Sequence, residues 1–87
     1  EGSLSYLKTK EKELLSLLIN KSKSEFTPIE ISKEIGVTNK TVINRLSVLV
    51  KNGFVAPILV NTRIRSYELT VFTKDNRDRI IDLVKLG

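Results

Sequence analysis

The sequence contains no cysteine, histidine, methionine or tryptophan. Without cysteine, the chain cannot form a disulfide framework, a thiolate zinc site, an iron–sulfur cluster or a thiol nucleophile. Without histidine, it lacks the commonest general base and the commonest metal ligand, and a Ser-His-Asp triad is impossible. The four glycines are too scattered to form a glycine-rich phosphate loop. We therefore expect a protein that is not an enzyme and that uses no metal ion or cofactor.

Long apolar runs are also missing. The longest, from Phe54 to Val60, is interrupted by Pro57, whereas a membrane-spanning helix needs about 18 apolar residues in succession. The chain has 87 residues, of which 40% are hydrophobic and 29% charged. This composition is typical of a single globular domain, here over residues 1–87. We expect residues 1–8 to be an N-terminal arm or the remnant of a tag, and we expect a cytoplasmic protein that binds no membrane.

Acidic residues are absent from the middle of the chain. Glu34 is followed by no acidic residue until Glu68, and five basic residues lie between them. The other ten basic residues are balanced by the ten acidic residues, so the net charge of +5 comes from this one segment. Such segregation is typical of a nucleic-acid-binding face. The alternative is a basic surface that serves only solubility.

The spacing of apolar residues predicts four helices and one β-hairpin. The clearest local signal is Thr27-Pro28-Ile29-Glu30, which combines an N-cap, a proline at the first helical position and a capping box. Gly36 is suited to end that helix. The predicted helices span residues 10–21, 28–35, 39–52 and 74–86, and the hairpin spans residues 54–70 with its tip at residues 61–62. The predicted N-caps are Thr9, Thr27, Thr38 and Thr73.

The turn Gly36-Val37-Thr38 is short enough to cross the second and third helices at a steep angle, as in a helix-turn-helix. From residue 35 to residue 55, and again in Arg65-Ser66-Tyr67-Glu68-Leu69-Thr70, the sequence resembles winged helix-turn-helix regulators of the MarR and ArsR types. The resemblance covers residues 10–70. It implies a fold that is mainly α with a two-stranded β-wing, and a nucleoid-associated protein that binds double-stranded DNA through the third helix and the wing.

This resemblance implies a transcriptional regulator, or a DNA-binding module of replication or plasmid-partition machinery. The sequence departs from the family pattern in its apolar first wing strand, which contains Pro57, and in its lack of sensor cysteines and histidines. The second departure excludes metal sensing. Ile43 and Val48 are apolar residues on otherwise polar arcs of the third helix, and they motivate an alternative function, a winged helix that serves as a protein–protein adaptor in a larger assembly.

The third helix divides into two faces. At about 100° per residue, Val42, Leu46 and Leu49 fall within a narrow arc that predicts a core contact, and Lys40 and Asn44 lie roughly opposite. An ammonium group can donate to phosphate or guanine, and an amide can read adenine. The predicted DNA-binding residues are Thr38, Asn39, Lys40, Thr41, Asn44, Arg45 and Lys51 on the third helix, with Arg63 and Arg65 on the wing. The alternatives are a solvated polar face for the helix and a charged guard on an edge strand for the wing.

The last helix carries more apolar residues than a single core contact requires. A helix that caps a monomer core needs a stripe of about 100°, and this stripe is wider. We therefore predict a two-fold symmetric homodimer, which would set two recognition helices about 34 Å apart. The predicted interface residues are Leu4, Leu7, Ile80, Leu83, Val84 and Leu86. The alternative is that both terminal segments fold back on their own domain.

Overall fold

The computed structural model describes residues 7–21 and 23–86 of the chain. Its elements are, in chain order, α1 (Thr9–Asn20), α2 (Pro28–Ile35), α3 (Asn39–Lys51), β1 (Val55–Val60), β2 (Arg63–Leu69), α4 (Val71–Asp75) and α5 (Arg77–Leu86). The two strands form an antiparallel hairpin. The expectation of a mainly α fold with one two-stranded sheet is therefore confirmed. No helix in the described part of the chain is both long and apolar enough to cross a membrane.

The core forms where α1 packs against both α3 and α5, with α2 and β1 also packed against α3. Val42, Leu46 and Leu49 of α3 are completely buried, which confirms the predicted apolar arc. Leu15 and Leu18 of α1 are completely buried as well. Each such side chain contributes about 1.5–3 kcal/mol on burial. This packing holds α3 with one face inward and the opposite face toward solvent.

The segment that leads into α3 is fixed by local hydrogen bonds. Thr27 Oγ1 accepts from the Glu30 N–H at 3.3 Å, and Glu30 Oε1 accepts from the Thr27 N–H at 2.8 Å. This reciprocal pair is the predicted capping box of α2. Gly36 ends α2 with φ 72° and ψ 32°, a left-handed conformation that glycine adopts without steric cost. The three residues 36–38 then lead directly into α3.

The carboxylate of Glu30 should make the stability of the protein depend on pH. A hydrogen bond from Lys23 and another from the Thr27 N–H hold the pKa of Glu30 below its ordinary value of 4.5, against the opposing effect of burial. The folded state therefore binds this proton less readily than the unfolded state. The stability that ionised Glu30 contributes is complete above pH 4.5 and is lost as the pH falls through the lowered pKa.

We expect Glu30→Gln to show a weaker loss of stability below pH 4.5 than the wild-type protein. Glutamine keeps the carbonyl that accepts from the Thr27 N–H, so the substitution removes the charge and retains the cap. The measurement is urea unfolding of both proteins at neutral pH and through the acidic range. The same decline in both proteins would show that Glu30 does not contribute to the pH dependence.

The hairpin departs from regular alternation at Arg65. Ile58 pairs with Ser66, but Leu59 pairs with Ile64, so Arg65 is the extra residue of a β-bulge. Strict alternation predicts Ser66 on the face opposite the inward-facing Tyr67. The structure instead buries both, and Ser66 Oγ donates to Glu25 Oε1 at 2.7 Å. This contact helps to fix the angle between the hairpin and the helices.

The tip of the hairpin is a two-residue turn, at the position predicted from the sequence. Asn61 has φ 52° and Thr62 has φ 66°, and positive φ at both central residues is what a type I′ turn requires. Asparagine tolerates this region, whereas a β-branched residue such as threonine is strained there. Thr62 therefore stores conformational strain at the end of the hairpin.

Replacing Thr62 with glycine should raise the free energy of unfolding by about 1 kcal/mol, because the left-handed penalty disappears. Asn61→Gly is the matched control and should gain less, since asparagine already tolerates this conformation. Urea denaturation of the three proteins measures the difference. Destabilisation by Thr62→Gly, or equal gains at the two positions, would contradict a strained turn.

The C-terminal region differs from the single predicted helix over residues 74–86. It forms two helices, α4 and α5, and the N-cap of α4 is Thr70 rather than the predicted Thr73. Thr73 is buried inside α4 and donates its hydroxyl to the Phe54 carbonyl at 2.7 Å. Asn76 ends α4, since its side-chain amide donates to the Phe72 carbonyl at 2.8 Å. Its own carbonyl then accepts from the N–H of Ile80 and so starts α5.

Candidate nucleic-acid interface

The outward face of α3 carries the polar residues that the sequence predicted there. Lys40, Asn44, Ser47 and Lys51 are all exposed, and they follow one another at helical spacing along the face opposite the buried arc. From Lys40 to Lys51 this face is about 16 Å long. Asn39, in the first turn, is exposed too. An exposed helix face with two ammonium groups and side-chain amides can donate to phosphates and read base edges.

The two threonines at the start of α3 have a structural role. Thr38 Oγ1 accepts from the Thr41 N–H at 3.2 Å, and the two hydroxyl oxygens lie 2.8 Å apart. Thr38 is therefore the N-cap of α3, as predicted, and Thr41 is half-buried beside it. Their side chains fix the helix terminus, whose remaining N–H groups and positive dipole favour an anion such as phosphate.

Arg45 lies apart from the outward face. It is half-buried and lines a groove of about 270 Å³ between α1 and the turn that precedes α3. Glu13 and Lys10 of α1 line the same groove, together with Leu17 and Val37. The structure therefore brings Lys40, Asn44 and Lys51 together and places Arg45 on the flank next to α1.

The hairpin presents two of the predicted basic residues to solvent. Arg63 begins β2 directly after the turn and Arg65 occupies the bulge, and both side chains are exposed. Three large apolar side chains at the same end of the hairpin are exposed as well, namely Leu59, Val60 and Ile64. Sequence reasoning did not identify these three as surface residues. The sequence did contain a signal for them. A strand with one face toward solvent normally alternates apolar and polar residues, but β1 is apolar throughout, so some of its apolar side chains must face outward in a two-stranded hairpin.

Ion pairs neutralise other parts of the surface and leave this region positive. Among the described residues, salt bridges join Lys10 to Glu13, Lys21 to Glu34 and Lys23 to Glu30. All three lie on α1, α2 and the segment between them. None involves a basic residue of α3 or of the hairpin. The acidic residues of the N-terminal part are thus partly paired with lysines of the same part. In the segment from residue 35 to residue 67, the basic residues other than half-buried Arg45 are exposed to solvent.

The predicted dimer residues are found in different environments. Leu7 and Ile80 are buried in the core of their own domain, at 6% and 4% exposure, so their side chains are not free for a partner in this arrangement. Val84 packs against the core as a half-buried residue. Leu83 is 47% exposed. Leu4 and the side chain of Leu86 lie outside the described part of the structure.

Within the described residues, no group of three or more acidic side chains is placed to hold a metal ion. The sequence matches none of the protein-family models with which it was compared, and it matches no curated protein.

Proposed function

We propose that the protein binds double-stranded DNA as a winged helix-turn-helix domain, with α3 in the major groove and the hairpin as the wing. The observation that carries this proposal is the separation of charge. Five basic residues and no acidic residue lie between Glu34 and Glu68, and in the described structure they form no salt bridge with the acidic residues of the helices. Duplex DNA is the common partner of such a surface.

The outward face of α3 has the shape and chemistry that a major groove accepts. The groove is about 12 Å wide and admits one helix. Lys40 and Asn44 are one helical turn apart, so they would face neighbouring base pairs from the same side of the helix. Lys51 lies about two turns beyond Asn44 and would contact the phosphate backbone. Exposed Ile43 supplies an apolar surface for a thymine methyl group.

The capped N-terminus of α3 and the hairpin would give further contacts to phosphate. Backbone N–H groups of the first turn favour an anion, and Arg63 and Arg65 extend the positive surface beyond the helix. In this proposal Arg45, on the flank, contacts phosphate from the side of α1. Residues of this kind position a domain on DNA, whereas the side chains in the groove give sequence preference.

The proposed role is that of a transcriptional regulator or of a DNA-binding module for replication or plasmid partition. A homodimer through the last helix stays a prediction. Among the predicted interface residues whose side chains the structure describes, Leu83 is the exposed one and would form the contact, because Leu7 and Ile80 are buried in the core of one domain. Sedimentation equilibrium at micromolar concentration measures the oligomeric state.

A salt titration of binding to duplex DNA tests the proposal. Contacts from about four basic side chains predict that log K falls with log salt concentration with a slope of about −4. Arg63→Ala should lower the size of this slope by about one unit and leave sequence preference nearly unchanged, because a wing tip mainly contacts backbone. Binding can be followed by fluorescence anisotropy of a labelled duplex.

Two results would contradict this proposal. Absence of binding to duplex DNA at low salt would exclude it directly. Binding whose affinity hardly changes with salt would favour the alternative of a protein–protein adaptor, in which apolar contacts dominate. If only the Arg63→Ala result fails and the slope stays unchanged, Arg63 does not contact DNA, and its charge serves only to prevent association between sheet edges.

A further inference from the structure

The end of the hairpin carries apolar side chains that its own core does not cover. Leu59 and Ile64 are partners across the two strands, so their side chains lie on one face of the hairpin. They are 58% and 53% exposed. Leu59 follows the buried Val55 by four residues, which is about 13 Å along an extended strand. The pair therefore extends past the core, and neither side chain contributes much to the stability of the domain.

An exposed apolar pair on a hairpin carries a cost. Such surfaces promote association between sheet edges, and natural proteins usually place charged or polar residues there. Val60, the next residue, is exposed and apolar as well. Threonine at both positions, 59 and 64, would favour the same strands without exposing this apolar surface. The exposed end of the hairpin is therefore suited to contact a partner.

Charge decides between a second copy of the chain and a polyanion. Arg63 and Arg65 are exposed at the same end of the hairpin, and no acidic residue lies between residues 35 and 67. Pairing of two hairpin ends would bring four arginine side chains together with no acidic partner from either hairpin end, and such like-charge contacts are destabilising. A polyanion such as DNA, in contrast, attracts the arginines, and the apolar pair beside them can then face the bases inside the duplex.

The minor groove of DNA suits this end by charge, and it admits individual side chains rather than the backbone of a hairpin. The two-residue turn leaves the neighbouring side chains at the very end of the hairpin, where they can reach into a groove. The minor groove is about 6 Å wide, and its negative potential attracts arginine. Apolar side chains that enter it can insert between base pairs and kink the duplex.

We propose that Leu59 and Ile64 form an apolar wedge that enters the minor groove and partly unstacks one base step, with Arg63 and Arg65 contacting the DNA beside it. The wedge rests on the proposed DNA binding and adds to it a specific distortion of the ligand. The duplex should bend by about 20–90° away from the hairpin, toward the major groove. The wing would then read the deformability of the DNA as well as its charge.

The bend can be measured by energy transfer between dyes at the two ends of a duplex of about 30 base pairs with TA steps at its centre, since these steps kink most easily. We expect energy transfer to rise when the wild-type protein binds. The double variant Leu59→Ser/Ile64→Ser should still bind with the wild-type salt slope, because its basic residues are unchanged, but the rise should be lost. Val71→Ser removes an even more exposed apolar side chain at the start of α4, beyond the other end of β2, and this variant should bend DNA as the wild type does.

Circular dichroism and urea unfolding establish that each variant folds before its binding is compared. If the wild-type protein binds without bending the duplex, or if the double variant bends it equally, the wedge is wrong while DNA binding stands. If the wild-type protein binds no DNA, both proposals fail. If the wild-type protein sediments as a dimer that the double variant abolishes and Val71→Ser retains, the apolar pair is an interface between copies and the wedge is overturned.

Discussion

Replacing Phe26 with alanine should lower the free energy of unfolding by about 3–5 kcal/mol. Phe26 is only 1% exposed and is one of the largest completely buried side chains of the domain. It lies between α1 and α2, and the cavity left by its ring would be bordered by core side chains that cannot all move inward. A domain of this size has a total stability of about 5–15 kcal/mol, so urea denaturation should detect a large shift in the midpoint.

Phe72 provides the matched control for this substitution. It is the same residue type, but it is 38% exposed and contacts the ring of Phe54 at 6.0 Å between centroids. An aromatic pair of this kind contributes about 0.5–1.5 kcal/mol beyond its buried area, so Phe72→Ala should cost much less than Phe26→Ala. Equal losses in the two variants would show that Phe26 is not a central part of the core.

Phe26 also connects the helices to the hairpin. Its N–H donates to the Tyr67 carbonyl at 2.8 Å, and the Tyr67 N–H donates to its carbonyl at 2.7 Å. These two hydrogen bonds attach the segment before α2 to β2, and the side chain of Glu25 adds the contact to Ser66. The alanine variant keeps the backbone groups but loses the side chain that buries them. The hairpin should therefore lose order at lower denaturant concentration than the helices if unfolding is followed separately in each.

Local signals were sufficient to predict the first three helices, although the N-cap of α1 is Lys8, whose N–H donates to Glu11 Oε1, rather than the predicted Thr9. The capping box of Thr27 and Glu30, the left-handed Gly36 and the N-cap Thr38 all act within a few residues of one another. The apolar arc of α3 needs only the helical repeat. These features depend on neighbouring residues, so they can be read from one sequence.

The features that sequence reasoning missed depend on contacts between distant residues. Thr73 looked like a helix cap, but its hydroxyl bonds to the Phe54 carbonyl, 19 residues earlier, and α4 begins at Thr70. The bulge at Arg65 and the bridge between Phe26 and Tyr67 follow from how β2 packs on the helices. No local pattern marks any of these features, because each depends on contacts with residues that are distant in the sequence.

The same division applies to the candidate interface. Helical spacing was enough to place Lys40, Asn44 and Lys51 on one exposed face. The same spacing puts Arg45 on the flank of the helix, but it could not show which element lies there, and the structure puts the side chain in a groove with Glu13 of α1. Arg45→Ala should therefore weaken DNA binding less than the corresponding change at Lys40.

Lys40→Glu should weaken binding to duplex DNA by about 3 kcal/mol, or roughly 150-fold in the dissociation constant. Lys40 is exposed on the outward face of α3, close to its N-terminus, where a helix in the major groove first meets the bases. Alanine at this position removes a contact, which costs about 1–3 kcal/mol. Glutamate adds repulsion from phosphate, so the loss should reach the upper end of that range.

Lys85→Glu separates this local effect from the loss of net charge. Both substitutions change the net charge by the same amount, but Lys85 is exposed on α5, which packs against α1. At physiological salt, charges more than about 8 Å from the DNA are largely screened, so Lys85→Glu should have little effect on affinity. Fluorescence anisotropy with both variants decides the matter, with circular dichroism as the check on folding. Equal losses in the two variants would mean that affinity follows net charge alone, and α3 would then have no defined position on the duplex.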